Sequence, residues 1–293
     1  MRQYLRKVRA KFSGGLVINP GNETGHQIRI EFSINKGISS KQNSADIRLY
    51  NLTESHRNAM GKEFDSITLE AGYIPPGDDG NVGVIFKGAV RDVEHEKTQD
   101  GNIITTISCG DGDKAIRKAT ISKSYPKGTP VKTVVKDIYA EMEKKGMARG
   151  EWKFPDNMKE TFDRPYAMCG MCSRELDVIG KGHKFYWSSQ NETLEIIPGD
   201  GTVGGIVLLT PDTGMIGTPS ITDNGVRVSC LLNPEIRPNR RVQIKSDTLE
   251  MNASNGIYRV SEVSFTGNNQ DGEFRCDLTC EAIKGGKVDE GVK

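Results

Sequence analysis

No stretch of eighteen apolar residues occurs in the 293-residue chain, so no membrane-spanning helix can be read from it. Neither sign of charge is in excess: 40 basic residues stand against 39 acidic ones, and no whole-chain field draws the protein towards nucleic acid or a lipid surface. Aromatic residues are scarce at 6 %, with two tryptophans, Trp152 and Trp187. Hydrophobic residues reach 35 %, low for a compact globule, while glycine is plentiful at 33. That balance predicts many turns, much exposed surface and burial completed by other subunits. The basic start MRQYLRKVRAKF lacks the apolar centre of a secretory signal, and the expectation is a protein made and kept in a cytoplasm. No catalytic constellation emerges either: no nucleophile is set beside a base, and no cluster has metal-ligand spacing.

What the chain does have is two-residue alternation between explicit turns. Val226, Val228, Cys230 and Leu232 alternate with Arg227, Ser229 and Leu231, the period of a half-buried strand. Asp223-Asn224-Gly225 opens that strand, with Gly225 expected at a positive φ. Asn233-Pro234 closes it, and Pro238-Asn239 turns the chain into the strand of Val242 and Ile244. Upstream, residues 1–113 read as all-β. Ile28 to Ile34 and Ala45 to Leu49 alternate, and Thr53 caps a short helical turn. Ser66 to Tyr73 precedes an exposed loop at 74–80. Val84 to Glu96 is a long strand with Gly88 at a bulge, joined to Ile103–Cys109 by an Asp100-Gly101 hairpin.

Residues 114–205 change character. Thr129 reads as the cap and Pro130 as the first position of a helix near 130–145, with Val131, Val134, Val135, Ile138 and Met142 on one face. Glu151–Glu160 reads as a linker, and a second helix near 169–181 ends at Gly182. A hairpin at 184–198 turns at Gln190-Asn191-Glu192. Residues 206–283 return to β, and 284–293 read as a flexible tail. The fold class is mainly β with an α/β insert, and the turn-spaced strands indicate barrels or sandwiches.

Four passages resemble the baseplate hub family of contractile tailed bacteriophages. They are EFSINKGISSKQNSADIRLYNLTESHR; ITLEAGY with VIFKGAVRDVE, carrying Gly72 and Gly88; KATISKSYPKGTPVKTVVKDI, carrying Gly128 and Pro130; and TPDTGMIGTPSITDNGVRVSCLLNPEIRPNRRVQIKS. The last carries Pro219, Gly225, Asn233, Pro234 and Pro238 in the family's order, and the likeness runs from about Ile28 to Glu281. Asn239-Arg240 departs from it, standing where a glycine is expected. The resemblance implies two similar antiparallel β-barrel (tube-like) domains flanking the insert. It further implies a homotrimer whose six barrels form a ring between the tail tube protein and the spike protein, in a virion tail baseplate. Other baseplate proteins and transient contact with DNA in the channel complete the implied partners, with no membrane, no cofactor, no metal and no enzymatic activity.

Other readings compete locally. Cys169-Gly170-Met171-Cys172 could do disulfide exchange or, with His183, hold zinc, but two cysteines packed on a helix face are the simpler reading. Cys276 and Cys280 share a strand face, where one could pair with Cys230, and core thiols are the favoured state. Asp111-Gly112-Asp113 is half a calcium loop or, more simply, a turn at a domain boundary. Glu94-His95-Glu96 reads as an exposed strand face. Arg2, Arg6, Lys7, Arg9 and Lys11 read as a solvated arm, with DNA contact as the sharper option. The alternative function is a carbohydrate-binding β-sandwich tail adhesin, which requires an aromatic-lined groove.

Overall fold

The computed structural model describes residues 5–21, 27–62, 65–74, 80–247, 250–284 and 287–288. The first β part comprises β1 (Leu5–Phe12), β2 (Val17–Ile18), β3 (Ile30–Gly37), β4 (Ser44–Tyr50), helix α1 (Glu54–Ala59), β5 (Ser66–Ile74), β6 (Gly83–Lys97) and β7 (Ile103–Gly110). The insert follows with α2 (Asp113–Lys118), β8 (Thr120–Tyr125), α3 (Val131–Glu143), β9 (Ala148–Trp152), β10 (Tyr166–Met171), α4 (Cys172–His183), β11 (Phe185–Ser189) and β12 (Thr193–Pro198). The second β part holds β13 (Ile206–Leu209), β14 (Met215–Thr222), β15 (Gly225–Leu231), β16 (Arg241–Ile244), β17 (Ile257–Asn268), β18 (Phe274–Lys284) and β19 (Lys287–Val288). The mainly β class with a mixed insert is therefore what the chain forms.

Two separate barrels are not. The β parts share one 14-stranded sheet, ordered β14-β15-β18-β17-β3-β4-β7-β6-β5-β1-β2, with β13 and β16 branching from β17. β17 is the reason. Its first residues pair with β16, and Glu262–Asn268 run antiparallel to Glu31–Gly37 of β3. The edge each half would need to close upon itself is spent on the other half, and the path of paired strands stays open. One apolar core accordingly spans both parts, from Val8 through Ile34, Ile47 and Phe86 to Val228, Phe265 and Leu278. Each such side chain, fully buried, contributes about 1.5–3 kcal/mol. Val226, Val228, Cys230 and Leu232 all lie in this core, as their alternation predicts.

The insert has a core of its own. Val131, Val134, Val135, Ile138 and Met142 of α3 meet Cys172, Leu176 and Ile179 of α4 over the β11-β12-β9 sheet. Several local expectations change here. Pro130 is the N-cap of α3, one place before the first helical position, and the Thr129 hydroxyl donates backwards to Pro126 O instead of capping. Glu151 and Trp152, the start of the expected linker, belong to β9, which pairs parallel to β12. Lys184, at φ 58, ends α4 in place of Gly182. Cys169 belongs to β10, leaving Cys172 to start the helix.

The basic start is also a strand and no loose arm. Leu5–Phe12 pair residue by residue with β5, Lys7 is buried, and Arg9 and Lys11 both bond Glu70. Val8, Ala10 and Phe12 turn into the core while Arg9 and Lys11 face away, and Lys7, on the face of Arg9, is buried as well. Arg2 and the loop 75–79 lie outside the described residues. The expected tail is partly ordered: Lys287–Val288 pair back onto the end of β18, and 285–286 and 289–293 are outside the described residues.

Candidate functional site

Two constellations stand out, a buried polar seam and a set of exposed sheet edges. The seam joins the insert to the sheet at the tip of the β11–β12 hairpin. Asp111, at the end of β7, is fully buried and accepts four hydrogen bonds. They come from Asn191 N (2.7 Å), Glu192 N (2.6 Å), Ser189 Oγ (2.7 Å) and Asn43 Nδ2 (3.2 Å). Asn191 and Glu192 carry φ of 57° and 61°, so the carboxylate holds a hairpin turn built from two left-handed residues. Beside it the buried Lys36 Nζ donates to Ile85 O (3.0 Å) and Asn191 Oδ1 (2.5 Å). Burial lowers its pKa to about 8, and the Asp111 charge opposes that shift. Asp111-Gly112 is thus the turn at the boundary between sheet and insert that was expected, and its carboxylate also clasps the two together.

A second contact continues the seam into the other β part. Glu195 of β12, 4 % exposed, accepts from Arg240 Nη1 at 2.7 Å and from Asn239 Nδ2 at 3.2 Å. Asn239 takes φ 67°, so asparagine supplies the left-handed position for which glycine was expected, and its amide adds the bond to Glu195. Sequence alone hid this site: Asp111, Lys36, Asn43 and Glu195 lie far apart in the chain. The one visible signal was polar residues placed at inward positions of alternating strands.

The residues singled out by the family resemblance do not converge on a site. Each answers a local backbone problem. A Cβ on Gly72 would stand 2.5 Å from Asn81 O, and one on Gly88 2.5 Å from Gly110 O. Gly88 itself pairs in regular register, and the irregularities fall on either side, between Leu69 and Glu70 and between Val90 and Asp92. Gly128 has φ +86. Pro219 lies within the break in pairing between Ile216 and Ser220 on the edge strand β14, where a missing N–H costs no ladder bond. Gly225 is not at a positive φ: it is glycine because a Cβ would overlap the carbonyl of Cys280 in the neighbouring strand. Asn233 Oδ1 accepts from Glu235 N at 3.0 Å, Pro234 packs over Gly83, and Pro238 O receives Arg240 Nη1 at 3.4 Å.

The two cysteines of the Cys-X-X-Cys sit in different settings. Cys172 is buried, and its thiol is pushed up to about 11 by desolvation, the reverse of an activated thiolate. Cys169 is exposed on β10, and all six cysteines are free. Cys230 and Cys276 stand directly opposite in register as core thiols. His183 sets its ring edge-on against Phe162. No cluster of metal-ligating side chains occurs among the described residues. The Glu94-His95-Glu96 strand face is exposed, with His95 Nδ1 bonded to Thr105 Oγ1.

The exposed edges are apolar. On β13, Ile206 and Leu208 are 46 % and 43 % exposed, and on β14, Ile216 and Ile221 are 40 % and 41 %. β14 ends the sheet, and β13 is paired on one side by β16. Such rows of unpaired backbone and aliphatic side chains are templates for another chain. The cleft beside α4 and β11, about 620 Å³, has Phe185 and Trp187 in its lining, yet both are 3 % exposed. Tyr186 presents its ring there, a poor match to the aromatic groove a sugar-binding surface requires.

Similar solved structures share this architecture at low identity. The 43 kDa tail protein of prophage MuSo2 from Shewanella oneidensis is 9 % identical with a TM-score of 0.64, covering 98 % of this chain and 100 % of that one. A tail protein from Neisseria meningitidis MC58 is 12 % identical at a TM-score of 0.61, covering 95 % and 97 %. The Escherichia coli c3393 protein is a type VI secretion component described as similar to the T4 bacteriophage tail proteins gp27 and gp5. It is 8 % identical at 0.60, covering 99 % and 80 %. No curated protein matches the chain. The family model described as baseplate hub gp41 matches residues 13–280, which takes in the shared sheet, the clasp and the insert alike, and the chain belongs to that family.

Proposed function

We propose that three copies of this phage tail baseplate protein close into a ring that joins the tail tube protein to the central spike protein and leaves an axial channel for DNA. The part played is structural and not catalytic. In each chain residues 1–113 and 206–283 act as two like, tube-type units, so three chains offer six units to a sixfold tube, and the insert 114–205 faces other baseplate proteins. The protein is synthesised in the bacterial host cytoplasm and ends in the virion tail.

The observation that carries this reading is the β3–β17 junction. It fixes the two β parts of one chain edge to edge in a single sheet, which is the contact a pseudo-sixfold ring would repeat between chains. The sheet then ends in the apolar strands β13 and β14, open to a neighbour. Contacts of this head-to-tail kind generate a ring when the rotation closes. Reconstruction of the tail by cryo-electron microscopy tests it: three copies on the tail axis between tube and spike are expected. Six copies per ring, or a position off the axis, would overturn the assignment.

A further inference from the structure

A two-stranded ribbon in the insert stands apart from both larger sheets. β8 and β10 pair with each other in unbroken register, from Tyr166 opposite Tyr125 to Met171 opposite Thr120. Among the described residues neither strand has a second neighbour, and beyond their mutual ladder no backbone group of either bonds elsewhere in the chain. One face of the ribbon is closed. Ile121, Tyr125 and Met168 are buried, and the Lys123 ammonium turns to Asp137 of α3 at 2.7 Å. The other face is open and uncharged, with Ser122 and Ser124 of β8 beside Cys169 and Ala167 of β10. Ser122, Lys123 and Ser124 are exposed in succession, as on a strand whose outer edge is uncovered.

Proteins ordinarily blunt such an edge with a bulge, a proline inside the strand or an outward charge. β8 has no bulge and no proline, and its one charged side chain is drawn to α3. Four exposed cations bracket the ribbon instead. Lys118 and Arg174 stand at one end, where Cys172 N donates to Ala119 O. Lys127 and Arg164 stand at the other, where Gly128 N donates to Phe162 O. None of the four makes an ion pair among the described residues, and the carboxylates close to them in the chain are held by other groups. Asp163 is bonded by Lys159, Asp113 by Arg91, and Glu175 by the Tyr166 hydroxyl. The ribbon thus pairs a neutral strand edge, about 17 Å long, with unneutralised positive charge at both ends.

We propose that the outer edge of β8 receives an extended segment of another baseplate protein as a third strand, a segment with an uncharged centre of about six residues and an acidic residue at each end. Backbone groups of β8 supply the pairing, the small hydroxyls admit the neighbour's side chains, and the cations at the two ends set its register. The inference rests on the reading that the insert faces other baseplate proteins, and adds which strand does so and what chemistry it selects.

The test compares the full-length protein, free and in purified particles. By hydrogen exchange, amides of Thr120–Tyr125 are expected to exchange at least about tenfold more slowly in the particle, with those of α3 unchanged. A variant combining Lys118→Glu, Lys127→Glu, Arg164→Glu and Arg174→Glu, mixed with wild type during assembly, is expected to be incorporated at least about tenfold less. The same four positions changed to glutamine serve if the glutamates prevent folding, and should lower incorporation less. A photo-cross-linking residue at Ser122 is expected to join a segment of another baseplate protein with acidic residues flanking a neutral stretch. Unchanged exchange across Thr120–Tyr125, or equal incorporation of the folded variant, overturns the inference. So does a cross-link to a second copy of this chain or to a segment without acidic flanks. A reconstruction in which the insert meets other baseplate proteins through another surface overturns it and leaves the wider reading intact, and an insert that faces no other protein removes both.

Discussion

Two glycines in this chain are required for opposite reasons, and their substitutions separate the causes. Gly225 sits in extended backbone against Cys280, so Gly225→Val forces two strands apart and is expected to cost about 1–3 kcal/mol. Gly128 has open space around its missing Cβ but φ +86, so Gly128→Ala strains the backbone alone, at about 1 kcal/mol. Urea midpoints of the two variants check both. An unchanged midpoint for Gly225→Val would mean the strands yield freely there. The need for glycine at 225 was legible in the sequence, and the cause was not, because the atom it avoids lies 55 positions away in the chain. Thiol chemistry is legible to a similar depth. Maleimide in native buffer is expected to label Cys169 alone, with Cys109, held up near 12 by burial, Cys172 and the strand cysteines reacting after unfolding. Labelling of Cys172 at a comparable rate would restore the redox reading.

Elements whose causes are local came out of the sequence nearly intact. The α3 stripe, the β6–β7 hairpin with Gly101 at φ 83°, and the Thr53 cap bonded to His56 N depend on residues a few places apart. β1 escaped because Arg9 and Lys11 find their partner, Glu70, far along the chain on β5, and β10 escaped because RPYAM has neither alternation nor many β-branched residues. Lys36 shows what an inward polar position on a strand does to stability. Its pKa falls from 10.5 to about 8 in the folded protein. Between these values the unfolded chain binds the extra proton, so stability rises with pH and the lysine's share is lower below pH 8. From pH 8 to pH 9 the gain is about 1 kcal/mol. Above pH 9 the buried thiols act in the opposite sense, because they stay protonated in the folded state while the unfolded ones ionise. The difference between wild type and Lys36→Met, measured by urea titration at pH 7, 8 and 9, isolates the lysine. A flat difference across that range would show that Lys36 keeps its proton throughout.

At the scale of the whole molecule the organising fact is two apolar cores joined by hydrogen bonds. Neither the continuity of the sheet nor the seam could be read in advance. Ser264 meets Asn35 across 229 positions, and Asp111 meets Asn191 and Glu192 across about 80. Periodicity reports which face of a strand is buried and is silent on which strand lies beside it. The arrangement makes a specific claim about failure. Removing Asp111 leaves two backbone N–H groups, a serine hydroxyl and an asparagine amide buried without their acceptor, and leaves Lys36 facing one carboxylate fewer. Each orphaned donor costs about 1–3 kcal/mol before relaxation, so Asp111→Ala is expected to lose about 3–5 kcal/mol of docking between insert and sheet. The insert keeps its own core of α3, α4 and β9–β12, and should undock before it unfolds. Hydrogen exchange of the Asp111→Ala protein should therefore show Asn191 and Glu192 exchanging at least about a hundredfold faster, while the buried amides of α3 keep their protection. Equal loss in α3 would mean that insert and sheet fold as one unit and that the seam is not a joint. Retained protection at Asn191 and Glu192 would mean that Lys36, Asn43 and the Glu195–Arg240 contact hold the hairpin without the carboxylate.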